Sequence, residues 1–292
     1  MESPLFDLSQ NPMLINARGR LYSLKTPKLM GIVNLTPDSF SDGGKYFNKH
    51  AALKGALTLI EQGAEIIDLG PQSTRPTAKL LSAKEEIERL GNLINEVKKE
   101  HPEVLVSVDS FYSETIRYAF DQGLDIVNDI SAGQFDSNLL PTVSELGLPY
   151  ILMHVNPSYD SMHEKVSFKD ITLEVNRFLL DKALKLQEMG INDIILDPGF
   201  GFGKSIEDQE KLLNEVEYLS FGQYPLLIGI SRKSFIYKPL GKSPLEIDEP
   251  TQDRHLKVLR QGAKILRVHD IQSAKRTLDN YLKETGKANE IN

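Results

Sequence analysis

Five times along this sequence a helical pattern runs into a glycine and straight on into a short apolar stretch. The instances are "EQGAEIIDLG", "DQGLDIVNDI", "ELGLPYILMH", "EMGINDIILD" and "RQGAKILRVHD". Gly63, Gly123, Gly147, Gly190 and Gly262 stand where a helix ends in a left-handed turn, which a residue without Cβ adopts at no steric cost. The stretches that follow are nearly continuous Ile, Leu and Val, as in parallel strands buried on both faces. "LMGIVNL" (29–35), "VLVSVDS" (104–110) and "PLLIGIS" (225–231) complete a set of eight. Eight strand–helix units in about 250 residues predict an α/β chain forming a single TIM (β/α)8 barrel. A doubly wound sheet is the alternative, but no G-x-G-x-x-G follows the first strand.

The spacing also sets the organisation. Residues 1–28 fall outside the rhythm, and "MLINARGRLYSL" reads as two short strands about Arg18-Gly19, an N-terminal β-hairpin placed to plug the barrel bottom. The barrel domain is expected over 29–284, with a polar tail at 285–292. Between strands, Leu53, Leu57 and Ile60 form one apolar helical stripe, and Ile171, Val175, Phe178 and Leu186 another.

Composition excludes several function classes. A net charge of −7 argues against a protein that coats nucleic acid or an anionic membrane. The absence of cysteine removes disulfides, thiolate metal sites and cysteine nucleophiles. No apolar run approaches the roughly 20 residues of a membrane span, and no signal-peptide pattern opens the chain, so a cytoplasmic location is expected.

In a TIM barrel the chemistry sits at the C-terminal ends of the strands. Those ends carry Asn34, Asp68, Asp109, Asn128, His154, Asp197, Ser231 and the pair Arg267/His269. One such residue often caps the next helix; eight point to a shared polar mouth. The segments "LTPDSFSDGGKYF" and "GPQSTRPTAKLLS" have the composition of lids over an anionic substrate, with Phe40 in one and Arg75 in the other. Lys233 after strand seven and Arg267 with His269 after strand eight lie where this fold binds phosphate. The histidines form no metal-binding pattern, but Asn34, substrate phosphates and water would suit Mg²⁺. No G-x-S-x-G elbow supports a serine triad, and "PGFGFGKS" is one residue short of a P-loop.

In order along the chain, "GIVNLTPDSFSDGG", "DLGPQSTRP", "SVDS", "VNDIS", "LMHV", "DPGFGFGK", "ISRKSF" and "RVHD" resemble the dihydropteroate synthases of the folate pathway, over residues 29–284. The resemblance implies a Mg²⁺-dependent, homodimeric transferase, a target of sulfonamides. It joins 4-aminobenzoate to a pterin methyl diphosphate and releases 7,8-dihydropteroate and diphosphate. It implies that Asp109, Asn128, Met153, Asp197 and Lys233 hold the pterin. Asn34, Arg75, Arg267 and His269 would hold diphosphate, with Asn34 also on the metal. Phe40, Thr74, Pro76, Phe202, Lys233 and Ser234 would enclose the aminobenzoate, and Asp42, Arg75, Asp109 and Lys233 would act in catalysis.

The pterin, a flat heterocycle with a donor–acceptor edge, suits buried carboxylates and an amide. The glycines of "PGFGFGK" are read as letting the backbone approach that ring, with Phe202 as an apolar wall. Departures from the family pattern are Pro71-Gln72 for Gly-Glu, Thr77 for Gly, the segment "VNPSYDSMH", and the polar helix "TQDRHLKVLRQ". Two other readings fit the same barrel: a methyltetrahydrofolate-dependent methyltransferase and a non-catalytic pterin-binding paralogue. "RVHD", "ISRKS" and "STRP" together favour the synthase.

Overall fold

A computed structural model of the chain describes residues 13–36, 45–73, 78–155, 162, 164–219 and 221–286. Among these, eight parallel strands follow one another round a barrel: β3 (Lys28–Asn34), β4 (Ile66–Gly70), β5 (Leu105–Asp109), β6 (Ile126–Asp129), β7 (Tyr150–Met153), β8 (Ile194–Asp197), β9 (Leu227–Ile228) and β10 (Ile265–Val268). The pairing order β8-β7-β6-β5-β4-β3-β10-β9 leaves one seam, and a parallel bridge between Leu196 and Leu226 closes it. Helices α1 (Lys45–Glu61), α2 (Ala83–Leu90), α3 (Leu93–Glu100), α4 (Ser113–Asp121), α5 (Leu139–Leu146), α6 (Ile171–Glu188), α7 (Ile206–Asn214), α8 (Ser234–Tyr237), α9 (Asp248–Arg260) and α10 (Ile271–Glu284) connect them. No helix among the described residues is long and apolar enough to cross a membrane.

The glycines foreseen at helix ends all take positive φ, from 61° at Gly147 to 109° at Gly123. Each turns the chain sharply from helix to strand, which sets the rhythm seen in the sequence.

Successive strand residues face opposite sides, and this alternation sorts the core in two. Met30, Ile66, Leu105, Ile126, Ile151, Ile195, Leu227 and Ile265, one from each barrel strand, form an inner cluster, each fully buried. Their neighbours, such as Ile67, Val106, Val127 and Leu196, face outward into the helix-covered core.

The expected hairpin is present as β1 (Leu14–Ala17) and β2 (Arg20–Ser23), paired antiparallel about Arg18 and Gly19, both at positive φ. That two-residue turn matches the twist of the flanking strands. Its Ile15 and Ala17, with Leu24, join the inner cluster and close the barrel floor. Arg18 fastens it by donating to the Phe120 carbonyl at 3.0 Å and lying over that ring at 4.2 Å.

The helices follow the apolar stripes with one change. On α6, Ile171, Val175, Leu179, Ala183 and Leu186 are buried, with Phe178 partly so. Among the side chains described on α1, the covered ones are Ala52 and Ala56, not Leu53, Leu57 and Ile60. Against β3, α1 sets Leu59 over Gly31, where an added Cβ would come within 3.1 Å of it. Leu53, Leu59 and Ile60 are partly buried and pack against the outer core. The polar helix α9 docks on α10 through hydroxyls: Ser273 donates to Asp248 at 3.0 Å and Thr277 to Gln252 at 2.9 Å.

Because the floor is a closed layer of one apolar side chain per strand, truncating a member leaves a cavity that its neighbours cannot fill. Ile151→Ala is expected to lower stability by about 2–5 kcal/mol, read as a shift of the urea midpoint with unchanged slope.

Candidate active site

Two residues above the apolar floor, the same inward parity delivers mostly polar side chains. Asp68 of β4, Ser107 of β5, Asn128 of β6, Met153 of β7, Asp197 of β8 and Arg267 of β10 each follow an inner-cluster residue by two places. Asp109 lies a further two along β5. Above this layer opens a cavity of ≈ 410 Å³, lined by Asp109, Asn128, Ile130, Met153, Asp197, Gly199, Phe200, Phe202, Gly229, Lys233 and Arg267. All five residues that the resemblance assigned to the pterin line it, as do Phe202 and Arg267.

Arg267 organises the floor of this cavity. Its Nε donates to Asp68 Oδ2 at 2.7 Å, and its Nη2 lies 2.6 Å from the same oxygen and donates to Asp109 Oδ2 at 2.9 Å. Asn128 Nδ2 also donates to Asp68, at 3.1 Å and 3.3 Å to the two oxygens. Asp68, fully buried, thus fixes an arginine and an amide without lining the cavity itself. Burial opposes the Arg267 charge, but the two carboxylates hold it above its ordinary value.

Asp109 is pushed up to about 7, by burial first and then, against Arg267, by Asp68, Glu86 and Asp129. Asp197 is likewise raised by burial, while the Gly199 N–H, at 2.7 Å from Oδ1, and Lys233 oppose the rise. Lys233 is lowered to about 8 by burial and the nearby Arg267, and its amine stands 4.8 Å over the Phe202 ring. It faces the cavity and so keeps some accessible surface while protein surrounds its stem.

The turn after β8 answers the puzzle of "PGFGFGKS". Gly199, at φ 66°, turns its back on the His154 carbonyl, where any Cβ would collide. That contact is with protein backbone, so Gly199 makes room for the end of β7, and it also lines the cavity. Gly201 is open to a close approach by Lys233, whose amine lies 3.4 Å from where a Cβ would be. Lys204, buried, donates to the Gly199 carbonyl at 2.7 Å and to the His154 carbonyl at 3.4 Å, tying the turn to the end of β7. Phe202 reaches the cavity from a positive φ of 40°.

At the mouth, Asn34 ends β3 half-buried, and His269 follows β10, its N–H donating to Ser231 Oγ at 3.3 Å and its Nδ1 3.1 Å from the same oxygen. Ser234 opens α8 beside Lys233 but does not line the cavity. His154 is corrected: it follows the inward Met153, so parity turns it outward. There it packs on Phe178 of α6 at 4.9 Å, lowered to about 3 by burial and by Lys204. Phe40, Asp42, Thr74, Arg75 and Pro76 lie outside the described residues, as do Thr77 and most of "VNPSYDSMH". Two contributors went unassigned in the sequence: Asp68, read only as a polar strand end, and Lys204, read only against a P-loop.

Arg267 counters the burial that raises Asp109, so its removal has a definite sign. Arg267→Met is expected to move the Asp109 midpoint upward from about 7, followed by carboxyl ¹³C shifts across a pH titration; a downward or absent shift would separate the two groups.

Comparison with known proteins agrees with this geometry. Residues 30–269 match the family model described as pterin binding enzyme. The chain is similar to the dihydropteroate synthase of Streptococcus pyogenes, 39% identical over 249 residues that cover 84% of this chain and 91% of the relative. Among solved structures it is similar to the Xanthomonas albilineans dihydropteroate synthase with 4-aminobenzoic acid, with a TM-score of 0.87 and 34% identity over 94% of this chain and 98% of that one. It is also similar to the Yersinia pestis dihydropteroate synthase in complex with a sulfonamide drug, with a TM-score of 0.86 and 33% identity over 94% and 99% of the two chains.

Proposed function

The chain belongs to the pterin-binding enzyme family, and we propose that it is a dihydropteroate synthase. In this reading it condenses (7,8-dihydropterin-6-yl)methyl diphosphate with 4-aminobenzoate to give 7,8-dihydropteroate and diphosphate. The observation that carries the reading is the cavity in which Asp109, Asn128, Asp197, Lys233 and Arg267 converge beside Phe202. Two carboxylates, an amide and an amine match the donor–acceptor edge of a pterin, and the aromatic wall suits a flat ring.

The reaction is a displacement at the methylene carbon. The amine nitrogen of 4-aminobenzoate attacks, the new N–C bond forms as the C–O bond to diphosphate breaks, and the amine proton passes to solvent. No covalent enzyme intermediate is required. Asp197 accepts from the pterin 2-amino and ring N–H groups, while Asn128 and Asp109 read the remaining edge. Positive charge developing on the pterin methylene is stabilised by the carboxylates held beneath it, which are fixed before substrate arrives. Lys233, above Phe202, orients the ring, and Arg267 with His269 faces the departing diphosphate.

Mg²⁺ is part of the proposal. Asn34 offers a neutral oxygen, and among the described residues no group of three or more His, Cys, Asp or Glu gathers to hold a metal. A hard cation there would draw its other ligands from diphosphate and water, as suits Mg²⁺, and would neutralise charge on the leaving group. Asp42, Arg75, Phe40, Thr74 and Pro76 are proposed to complete the aminobenzoate and diphosphate ends. A homodimer and a cytoplasmic location belong to the same reading.

The methyltransferase alternative has no use for a cluster at the diphosphate end, and a paralogue that only binds has no turnover. Incubating the purified protein with both substrates and Mg²⁺ should yield dihydropteroate and diphosphate in equal amounts; pterin binding without either product would leave the binding paralogue standing. Asp197→Ala should weaken binding of a pterin analogue by roughly thirtyfold or more, since two ring donors lose their acceptor at about 1–3 kcal/mol each. Calorimetry showing unchanged affinity would remove Asp197 from the site.

A further inference from the structure

Behind the rim formed by the ends of β4 and β5, α2 carries a carboxyl that the cavity does not use. Glu86 is fully buried. Its Oε2 accepts from Ser110 Oγ at 2.5 Å and from Thr115 Oγ1 at 2.9 Å, while Oε1 has no hydrogen-bond partner among the described residues. Stability alone is a poor reason for such a residue, because a buried carboxyl with an unpaired oxygen costs more than an apolar side chain of similar size.

Its contacts give a better reason. Ser110 is the residue after Asp109, and its N–H donates to the Asn128 carbonyl at 3.1 Å. The Ser110 hydroxyl accepts the Tyr112 N–H at 3.2 Å, and the Tyr112 hydroxyl donates to the Leu81 carbonyl at 2.7 Å. The Leu81 N–H in turn donates to Gln72 Oε1 at 2.8 Å, and Gln72 Nε2 donates to the carbonyls of Ser73 at 2.8 Å and Lys79 at 3.2 Å. Arg89, one turn beyond Glu86 on α2, donates to the Pro71 carbonyl at 2.7 Å. A connected set of hydrogen bonds thus runs from the strand end bearing Asp109 to the neck of the segment after β4. Gln72, where the family pattern has Glu, supplies two donors that a carboxylate could not.

We propose that Glu86 is a positioning residue, anchoring Ser110 and Thr115 so that Asp109 leaves β5 in a fixed direction, in register with the neck at 71–73 and 79–81. The same placement makes it an electrostatic neighbour of Asp109. Around Glu86 stand Arg89 on its own helix, Asp109 and the two hydroxyls; around Asp109 stand Arg267, Asp68, Asp129 and Lys233. Burial raises Glu86 to about 7, against the pull of Ser110, Thr115 and Arg89. When ionised, it adds to the charges that push Asp109 upward.

Two substitutions separate positioning from bulk stability. Glu86→Gln keeps an oxygen acceptor for both hydroxyls and removes the charge; Glu86→Ala removes both. The kinetic arm rests on the synthase reading, whereas the titration arm does not, because carboxyl ¹³C shifts of Asp109 are read in the unliganded protein. Glu86→Ala is expected to lower kcat/KM by roughly tenfold or more, as a small misplacement at a reacting centre does, and Glu86→Gln to restore most of it. Glu86→Gln should also move the Asp109 midpoint downward, since a repelling charge is gone. Should Glu86→Ala fail to fold, Glu86→Gln and Tyr112→Phe decide. Tyr112→Phe cuts the link to Leu81, so it should raise KM for 4-aminobenzoate several-fold while leaving the Asp109 midpoint in place. An Asp109 midpoint unmoved in Glu86→Gln, or wild-type kcat/KM in a folded Glu86→Ala, would overturn the proposal.

Discussion

A guanidinium inside a barrel cannot stand alone, and much of this site is arranged around that fact. Removing one partner of a buried ion pair leaves an uncompensated charge and costs several kcal/mol. Arg267 therefore needs Asp68 and Asp109 together, and Asp68 in turn fixes Asn128. Four side chains from β4, β5, β6 and β10 are held in one geometry before any ligand enters. The arrangement brings acids and a base into contact without letting them merely cancel. Burial dominates the Asp109 shift even beside Arg267, so the carboxyl stays responsive to its surroundings.

That geometry rests on a simpler constraint, the two-residue period of a strand. Each barrel strand spends one inward position on an apolar side chain in the floor. On β4, β5, β6, β8 and β10 the next inward position is polar. The eight-fold rhythm, the hairpin plug and the polar strand ends were all legible in the sequence, because glycine placement and hydrophobic runs are local signals. His154 shows where that reading stops. It ends an apolar run as plausibly as Asp197 does, but Met153 holds the inward place and His154 falls on the helix side. Counting residues from the floor layer, rather than from the end of each run, would have assigned it correctly.

Other features were hidden for a different reason. On α1 the side chain set over β3 is Leu59, which fits because Gly31, more than twenty residues away on another element, has none. Lys204 and Glu86 were passed over because a charged residue in a turn or on a helix is usually solvated. Only the fold shows that one bridges two carbonyls and the other sits beneath two hydroxyls. A helix such as α2 has a strongly polar sequence, yet Glu86 is among its buried residues. Periodicity finds apolar faces; it has no term for a carboxylate retained inside one.

The turn "PGFGFGK" brings close packing and a buried charge together. It resembles an anion cradle in sequence, but it is built round a lysine that binds carbonyl oxygens rather than phosphate. Lys204 is lowered to about 7 chiefly by burial, which shows what placing an amine there costs. The backbone it fixes carries Asp197 at one end and Phe202 at the other, one a hydrogen-bond acceptor for a heterocycle and one a wall for it. A rigid span between the two is what the proposed chemistry requires, because the ring must be held edge-on and face-on at once. Gly199 is needed for the same reason: the turn can press against β7 only where no side chain intervenes. The glycines and the lysine are thus two halves of one device, in which bare backbone allows close packing and a buried cation satisfies the carbonyls that the packing brings together.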